Sequence, residues 1–389
     1  MSIYLDNSAT TKIRREALEK FVEVSQSNYG NPSSLHGMGY LAERELKAAR
    51  EAILATLGER GSEVVFTSSG TEANNLAILG RAYSKERFRR GARIITTAGE
   101  HASVNEPLAK LEKEGFDIVK ISTRGGALDV AQLKAALTGD VILVTAMMVN
   151  NETGALYDIA MISRLMRELS PQAILHVDAT QSYLKIPFTK KALGADMITV
   201  SSHKIEGPKG VGALIVGSDV IKRRDVCPIT LGGGQEGGLR SGTQNVPAIA
   251  AFAEAARLGS IECRESYGKM VELREALIRE ISESEELSGI TLNLPTVMAP
   301  HILNITLPGI KSETMLHFLS SEGIFVSSGS ACSSNSAHIS SALTDFGKSA
   351  AEADCSIRIS FSKNNTLAEV TALTEALKAG VGRLARIKK

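Results

Sequence analysis

The chain has 389 residues, with 44 basic and 43 acidic side chains, a formal charge of +1, no tryptophan and 34 glycines. That balance gives no overall field for nucleic acid or an anionic membrane, and no apolar run reaches the length of a membrane span. The length suits a large core and two domains, and the Leu-, Ile-, Val- and Ala-rich mixture suits an α/β enzyme. The first residues, Met1 to Asp6, show neither a basic n-region nor an apolar h-region, so a cytoplasmic protein is expected. Cys227, Cys263, Cys332 and Cys355 are widely spaced and lack the pairing of zinc or dithiol sites. No metal is expected, and any special role belongs to a single cysteine.

Residues 4–11, YLDNSATT, read as a short strand followed by turn chemistry, and helical periodicity starts near Arg15 and continues through Leu18, Phe21 and Val22. The polar loop NPSSLH at 31–36 precedes a helix over 39–57. Short apolar runs then recur at 64–67, 93–97, 117–121, 141–146, 173–177, 197–200 and 211–216, separated by stretches of helical period. This alternation predicts βαβ units and a mostly parallel, doubly wound sheet of seven strands. Ligands of such sheets gather beyond the carboxyl ends of the strands. After the glycine-rich stretch 231–243, two helical periods, one through Phe252 and Leu258 and one from Tyr267 to Ile281, lead into a mixed α+β pattern. Strands are expected there at 302–307 and 323–326, and helices at 314–321 and 367–384. The expected division is a large domain over 15–258 and a small one formed by 1–14 and 259–389.

The strand ends carry the candidate chemistry. SSGTE at 68–72 opens a helix where Gly70 allows close backbone approach and Thr71 offers a hydroxyl and an amide, which suits a phosphate; an ordinary helix cap reads the same way. The stretch lacks the lysine of a nucleotide-triphosphate loop. His101 is able to stack on a flat ring, Asp178 to pair with a protonated ring nitrogen, and Asn151 and Gln181 to bond ring substituents. Lys204 closes the strand 197–200 and enters a small-residue turn; burial or a nearby cation would make its amine nucleophilic enough for a Schiff base. A phosphate, a planar ring with a basic nitrogen and a carbonyl that condenses with lysine together describe pyridoxal 5′-phosphate (PLP). Cys332 lies in SSGSACSSNS at 327–336, a stretch without core anchors that is expected to be exposed and mobile, where a thiolate can act as nucleophile. Arg358 alternates with apolar residues in a strand and suits either an ion pair or a substrate carboxylate.

The ordered series YLDNSATT, NPSSLH, GTEANN, EH at 100–101, NNETG at 150–154, HVDATQS at 176–182, SSHK with GPKGVGAL at 201–214, GGGQEGGLRSGTQN at 232–245 and SSGSAC at 327–332 resembles the cysteine desulfurases of NifS/IscS type, within the class V aminotransferase superfamily of fold type I PLP enzymes. The resemblance spans nearly the whole chain. It implies conversion of L-cysteine to L-alanine, with the sulfur held as a persulfide on Cys332 and passed to an acceptor protein, a scaffold for iron–sulfur clusters or a tRNA-thiolating enzyme, without direct nucleic-acid or membrane binding. It also implies Lys204 as covalent anchor and base at Cα, His101 stacked on the ring and carrying protons, and Asn151 with Arg358 holding the substrate carboxylate. Ser201 and His203 are implied as phosphate contacts, joined across a homodimer by the partner subunit's Thr243. The alternatives on the same scaffold are a selenocysteine lyase or another PLP-dependent transaminase or lyase; a different class is a sulfur-carrier scaffold with weak activity of its own. Three stretches depart from the family pattern: Ile205-Glu206, expected to bring an acidic side chain near Lys204; the segment after Cys332; and SFSKNNT at 360–366 after Arg358.

Overall fold

The computed structural model describes residues 2–89, 91–328 and 340–384. The chain enters through a two-residue strand, β1 (Ile3–Tyr4), and two helices, α1 (Arg15–Ser27) and α2 (Gly37–Thr56). It then builds β2 (Glu63–Thr67), β3 (Arg93–Thr97), β4 (Asp117–Ile121), β5 (Val141–Met147), β6 (Ile174–Asp178), β7 (Met197–Ser201) and β8 (Gly212–Val216). These form one seven-stranded sheet in the order β2-β8-β7-β6-β5-β3-β4. β8 is antiparallel to both its neighbours and every other pair is parallel, so six strands point one way. The connections between them carry α3 (Gly70–Tyr83), α4 (Ala102–Lys113), α5 (Val130–Ala136), α6 (Ile159–Leu169) and α7 (Lys190–Leu193), and α8 (Ser218–Lys222) follows β8. The expected mostly parallel α/β sheet is thus present, with strand limits within about a residue of the apolar runs.

Period-two alternation sorts the strand side chains between two layers. Val64, Phe66, Leu175, Val177, Ala213 and Ile215 face α2 and the first part of α9 (Val246–Glu283). Val65, Ile174, Leu214 and Val216 face α3 and α4. The sheet is therefore buried on both faces, which explains why its strands read as continuous apolar runs.

The remaining chain forms β9 (Thr291–Asn293), β10 (Ile302–Thr306), α10 (Ser312–Ser321), β11 (Ile324–Phe325), β12 (Ser327–Ser328), α11 (Ser341–Phe346), α12 (Ala350–Asp354), β13 (Ser356–Ser360) and α13 (Leu367–Leu384). β12-β13-β10-β9 make an antiparallel sheet, and β11 pairs in parallel with β1. Leu303 and Ile305 of β10, Ile357 and Ile359 of β13 and Val370, Leu373 and Leu377 of α13 form a second core together with Leu5. The same alternation turns Asn304 and Arg358, paired across β10 and β13, away from that core.

One helix was expected to break near residue 258, but α9 runs unbroken for 38 residues. Its first part, through Ala256, packs in the large-sheet core, while Met270, Leu273, Leu277 and Ile281 pack in the second. Among the described residues no helix is long and apolar enough to cross a membrane. Leu277 is fully buried in the second core, so Leu277→Ala should lower unfolding free energy by about 2–5 kcal/mol in a urea titration. Leu18→Ala, at a position 48% exposed, should change it by less than about 0.5 kcal/mol.

Candidate active site

Four adjacent strand ends deliver polar residues to one region. β6 ends in Asp178, buried, whose Oδ2 accepts from Asn74 Nδ2 at 2.8 Å and whose Oδ1 accepts from the Thr180 amide at 2.9 Å. Asn74 lies on the first turns of α3, so the helix that begins at Gly70 also orients the carboxylate. Below Asp178, His176 is wedged between Thr145 Oγ1 at 2.8 Å and Thr199 Oγ1 at 2.9 Å. Burial pushes its pKa down to about 4 against the opposing pull of Asp178, so the ring is neutral.

The start of α3 is capped by Ser69, whose Oγ accepts from the Glu72 amide at 3.2 Å, and Glu72 returns a bond from the Ser68 amide. Burial opposes charge on Glu72, but Arg240 at 2.7 Å and Ser68 outweigh it and hold the carboxyl below its usual range. A Cβ on Gly70 would stand 3.2 Å from Thr180 Oγ1 and 3.4 Å from Ser201 Cβ, so the helix start, the β6 turn and the end of β7 converge. Ser201 Oγ is buried there with no hydrogen-bond partner. Thr71 is exposed beside it. An orphaned hydroxyl at the N-terminus of a 14-residue helix fits a phosphate group.

Lys204 follows β7 in a single 3₁₀ turn (Ser202–Lys204). Its Nζ donates to the carbonyls of Ser8 and Ala9, the latter at 2.8 Å, and Gln181 Nε2 donates to the same Ser8 carbonyl at 2.9 Å. Gln181 Oε1 is buried and unpartnered. His203 Nδ1 meets Thr10 Oγ1 at 3.1 Å, and burial, then Lys204, Lys209 and Lys185, push its pKa down to about 4. His101 caps α4 by accepting from the Ser103 amide at 3.1 Å, which directs Nε2 to carry the proton of the neutral ring. Burial lowers its pKa, with Asp178 opposing and Lys204 assisting.

On the small-sheet side, Arg358 donates to the Asn151 carbonyl at 2.8 Å and to Asp6 Oδ1 at 2.8 Å, leaving Nε buried and unpartnered. Asn151 and Arg358 are thus neighbours, through the asparagine main chain. The NNETG turn holds its shape because Asn150 Oδ1 accepts from the Glu152 and Thr153 amides. Gly154 adopts φ 73°, and a Cβ there would lie 2.9 Å from the Ile302 carbonyl, so only glycine lets the turn seat on β10. Thr243 is exposed in the loop before α9. Cys332 lies outside the described residues. Glu206 has its carboxylate taken up by Asn364 at 2.6 Å and Lys363 at 3.1 Å.

Several residues here were missed in the sequence. Asn74 and Thr180 stood inside recognised motifs, so position was the available signal. Lys185 and His301 gave none. Lys185 Nζ and both His301 ring nitrogens are buried without partners. Burial, then Lys204 and Arg358, bring Lys185 down to about 7, and burial, then Lys185 and Arg358, hold His301 well below its ordinary value. Glu152 Oε2 accepts from Ser340 Oγ at 2.6 Å, and burial lifts the carboxyl to about 7. Glu100, fully enclosed, accepts from Thr97 Oγ1 at 2.6 Å and the Met147 amide at 2.7 Å, and burial lifts it to about 8.

Because the folded pKa of Glu100 lies above its unfolded value, its stabilising contribution is complete below about pH 4.5 and is lost as pH rises through about 8. From this group alone, stability in urea should fall between pH 5 and 8 by at most about 1.4 kcal/mol per pH unit, against an opposite rise below about pH 6.5 from the buried rings of His176 and His203, whose folded values lie below their unfolded one. The unfolding free energy of Glu100→Gln relative to wild type should therefore grow with pH in favour of the variant across that window, and a difference that stays flat contradicts the raised value.

The family profile described as aminotransferase class-V matches residues 3–373. A protein named cysteine desulfurase from Trichormus azollae is 39% identical over 98% of this chain and 93% of its own length. A solved structure described as a NifS-like protein superposes with a TM-score of 0.91 at 33% identity, covering 99% of this chain and 100% of that one. A second, described as SspA in complex with cysteine, gives 0.79 at 31% identity over 94% of this chain and 100% of that chain. The fold is that of the fold type I PLP enzymes, and the chain belongs to the class-V aminotransferase family, among its NifS/IscS-type members.

Proposed function

We propose that this protein is a PLP-dependent cysteine desulfurase that takes sulfur from L-cysteine and releases L-alanine. The observation that carries the reading is the convergence at neighbouring strand ends of Asp178, braced by Asn74 and Thr180, the orphaned Ser201 hydroxyl at the start of α3, and Lys204. The relatives named cysteine desulfurase, and the similar structure that holds cysteine, support the substrate.

The residues present fit the cofactor. Gly70, Thr71, Ser201 and His203 would hold its phosphate, joined by the partner subunit's Thr243 in a homodimer. Asp178 would pair with the ring nitrogen, His101 and Gln181 would contact the ring, and Lys204 would anchor it covalently. PLP, when bound, supplies an electron sink for charge that develops at the substrate Cα.

The chain's own residues do the rest. Asn151 and Arg358 orient the substrate carboxylate, a role that suits guanidinium geometry. Lys204 moves the proton at Cα, and the neutral His101 ring is suited to pass a proton rather than hold a charge. Cys332, as thiolate, attacks the substrate sulfur: an S–S bond forms, the C–S bond breaks, and its electron pair stays with the carbon skeleton, which is protonated and leaves as alanine. The persulfide sulfur then passes to an acceptor protein serving iron–sulfur assembly or tRNA thiolation. A cytoplasmic enzyme belongs to the same reading, as does a division into a large domain over 15–258 and a small one from 1–14 and 259–389, and the two separate apolar cores support that division.

Incubation with L-cysteine and a thiol reductant tests it. Wild type should release alanine and sulfide together, and Lys204→Ala should lower alanine formation by about 10²- to 10⁴-fold. Cys332→Ala should abolish sulfide release; alanine at the wild-type rate from that variant contradicts the role given to the thiol.

A further inference from the structure

Two of the three stretches that depart from the family pattern meet in space. Glu206 stands two residues beyond Lys204, and Lys363 and Asn364 stand just beyond Arg358. Glu206 Oε1 accepts from Asn364 Nδ2 at 2.6 Å, and Oε2 pairs with Lys363 Nζ at 3.1 Å and Arg14 Nη1 at 4.0 Å. Glu262 of α9 closes the ring of charges by binding Lys363 and, at 3.0 Å, Arg14. The carboxylate of Glu206 is only 15% exposed and the Lys363 side chain 25%, so the pair is partly shielded from solvent.

The backbone around it is equally constrained. Glu206 adopts φ 63°, a left-handed conformation that a non-glycine residue keeps only when its surroundings compensate. Its amide donates to Thr11 Oγ1 at 2.8 Å, and its carbonyl accepts from the Arg14 amide at 2.9 Å. On the other side, Asn365 donates to the Tyr4 carbonyl at 3.1 Å, and Asn365 Oδ1 accepts from the Ser362 amide at 2.8 Å, so the loop carrying Lys363 is itself fixed. An unfavourable backbone turn held by a shielded ion pair links the turn of Lys204 to the loop that follows the strand of Arg358.

We propose that Glu206 and Lys363 are positioning residues, whose ion pair sets the spacing between the Lys204 amine and the Arg358 guanidinium. That spacing fixes where the substrate Cα sits when its carboxylate is held, so the pair acts on capture and alignment of the amino acid. The inference rests on the roles given above to Lys204 and Arg358. Glu206 and Lys363 touch neither substrate nor cofactor in this account.

The test is a double-mutant cycle on the PLP-loaded enzyme with L-cysteine, measuring kcat and KM separately alongside cofactor content and melting temperature. Glu206→Gln and Lys363→Met should each raise KM about 5- to 20-fold with cofactor content unchanged, and the double variant should be no worse than the more impaired single one. Lys363→Arg, which retains the charge, should stay within about twofold of wild type. Glu206→Gly relieves the backbone but removes the carboxylate, and should raise KM as Glu206→Gln does. Should Glu206→Gln fail to fold, the comparison of Lys363→Met with Lys363→Arg decides the matter, since Lys363 lies on a partly exposed loop. An active wild type with KM unchanged in Glu206→Gln and Lys363→Met overturns the positioning role alone, as does strict additivity or a Glu206→Gly variant that behaves as wild type. A wild type that forms no alanine overturns the underlying reading of the site, and this inference with it.

Discussion

Lys204 donates to the main-chain carbonyls of Ser8 and Ala9, and that contact belongs to a seam on which the rest of the site depends. Within the first fourteen residues, Asp6 pairs with Arg358, Asn7 donates to the Ser360 carbonyl, Thr10 and Thr11 bond His203, and Arg14 bonds the Glu206 carbonyl. This entry segment, which turns at residues 7–9, therefore stitches the end of β7 to β13, across two separate apolar cores. Each neutral bond contributes only about 1 kcal/mol net. The Asp6 and Arg358 side chains are 19% and 7% exposed, so losing one partner would strand a largely buried charge, at a cost of up to about 3–5 kcal/mol. The seam is thus held chiefly by what its rupture would leave unpaired.

Burial also decides which groups near the strand ends carry charge. Glu100 is pushed up to about 8, while His176 and His203 are pushed down to about 4, so all three are neutral near pH 7. Their neutrality keeps competing fields away from Asp178 and Lys204. Lys185 is different: it is brought down to about 7 and sits without a side-chain bond, close enough to Lys204 to feel its charge. Lys185 is buried and Lys204 only half-buried, and their settings differ. Lys204 sits at the end of β7 among Ser201, His203 and the Ser8 carbonyl shared with Gln181, whereas Lys185 lies past the β6 turn with its ammonium facing other cations.

The large sheet was legible in the sequence because strands buried on both faces are written as short apolar runs, and polar residues begin abruptly where those runs end. Asp178, Ser201 and Lys204 stood out for that reason. The continuity of α9 did not, since its middle turns, from Arg257 to Lys269, bury only Cys263 and read as a polar interruption between two helices. The burial of Lys185 and His301 was invisible too, because lysine and histidine ordinarily signal solvent, and only tertiary packing encloses them. Glu206 was noticed as an irregularity beside the lysine, but its partner lies 157 residues later, at Lys363. Single-sequence periodicity carries no information on such a pairing. The signal was present only as two separate departures from one pattern.

Lys204, and no other amine, is proposed as the cofactor's anchor. Reducing the PLP-loaded protein with borohydride and mapping the modified peptide by mass spectrometry tests it most directly. One phosphopyridoxyl group per chain is expected, on the peptide containing Lys204, and none on that containing Lys185. A label on Lys185, or a wild-type protein that takes up no label at all, would contradict it.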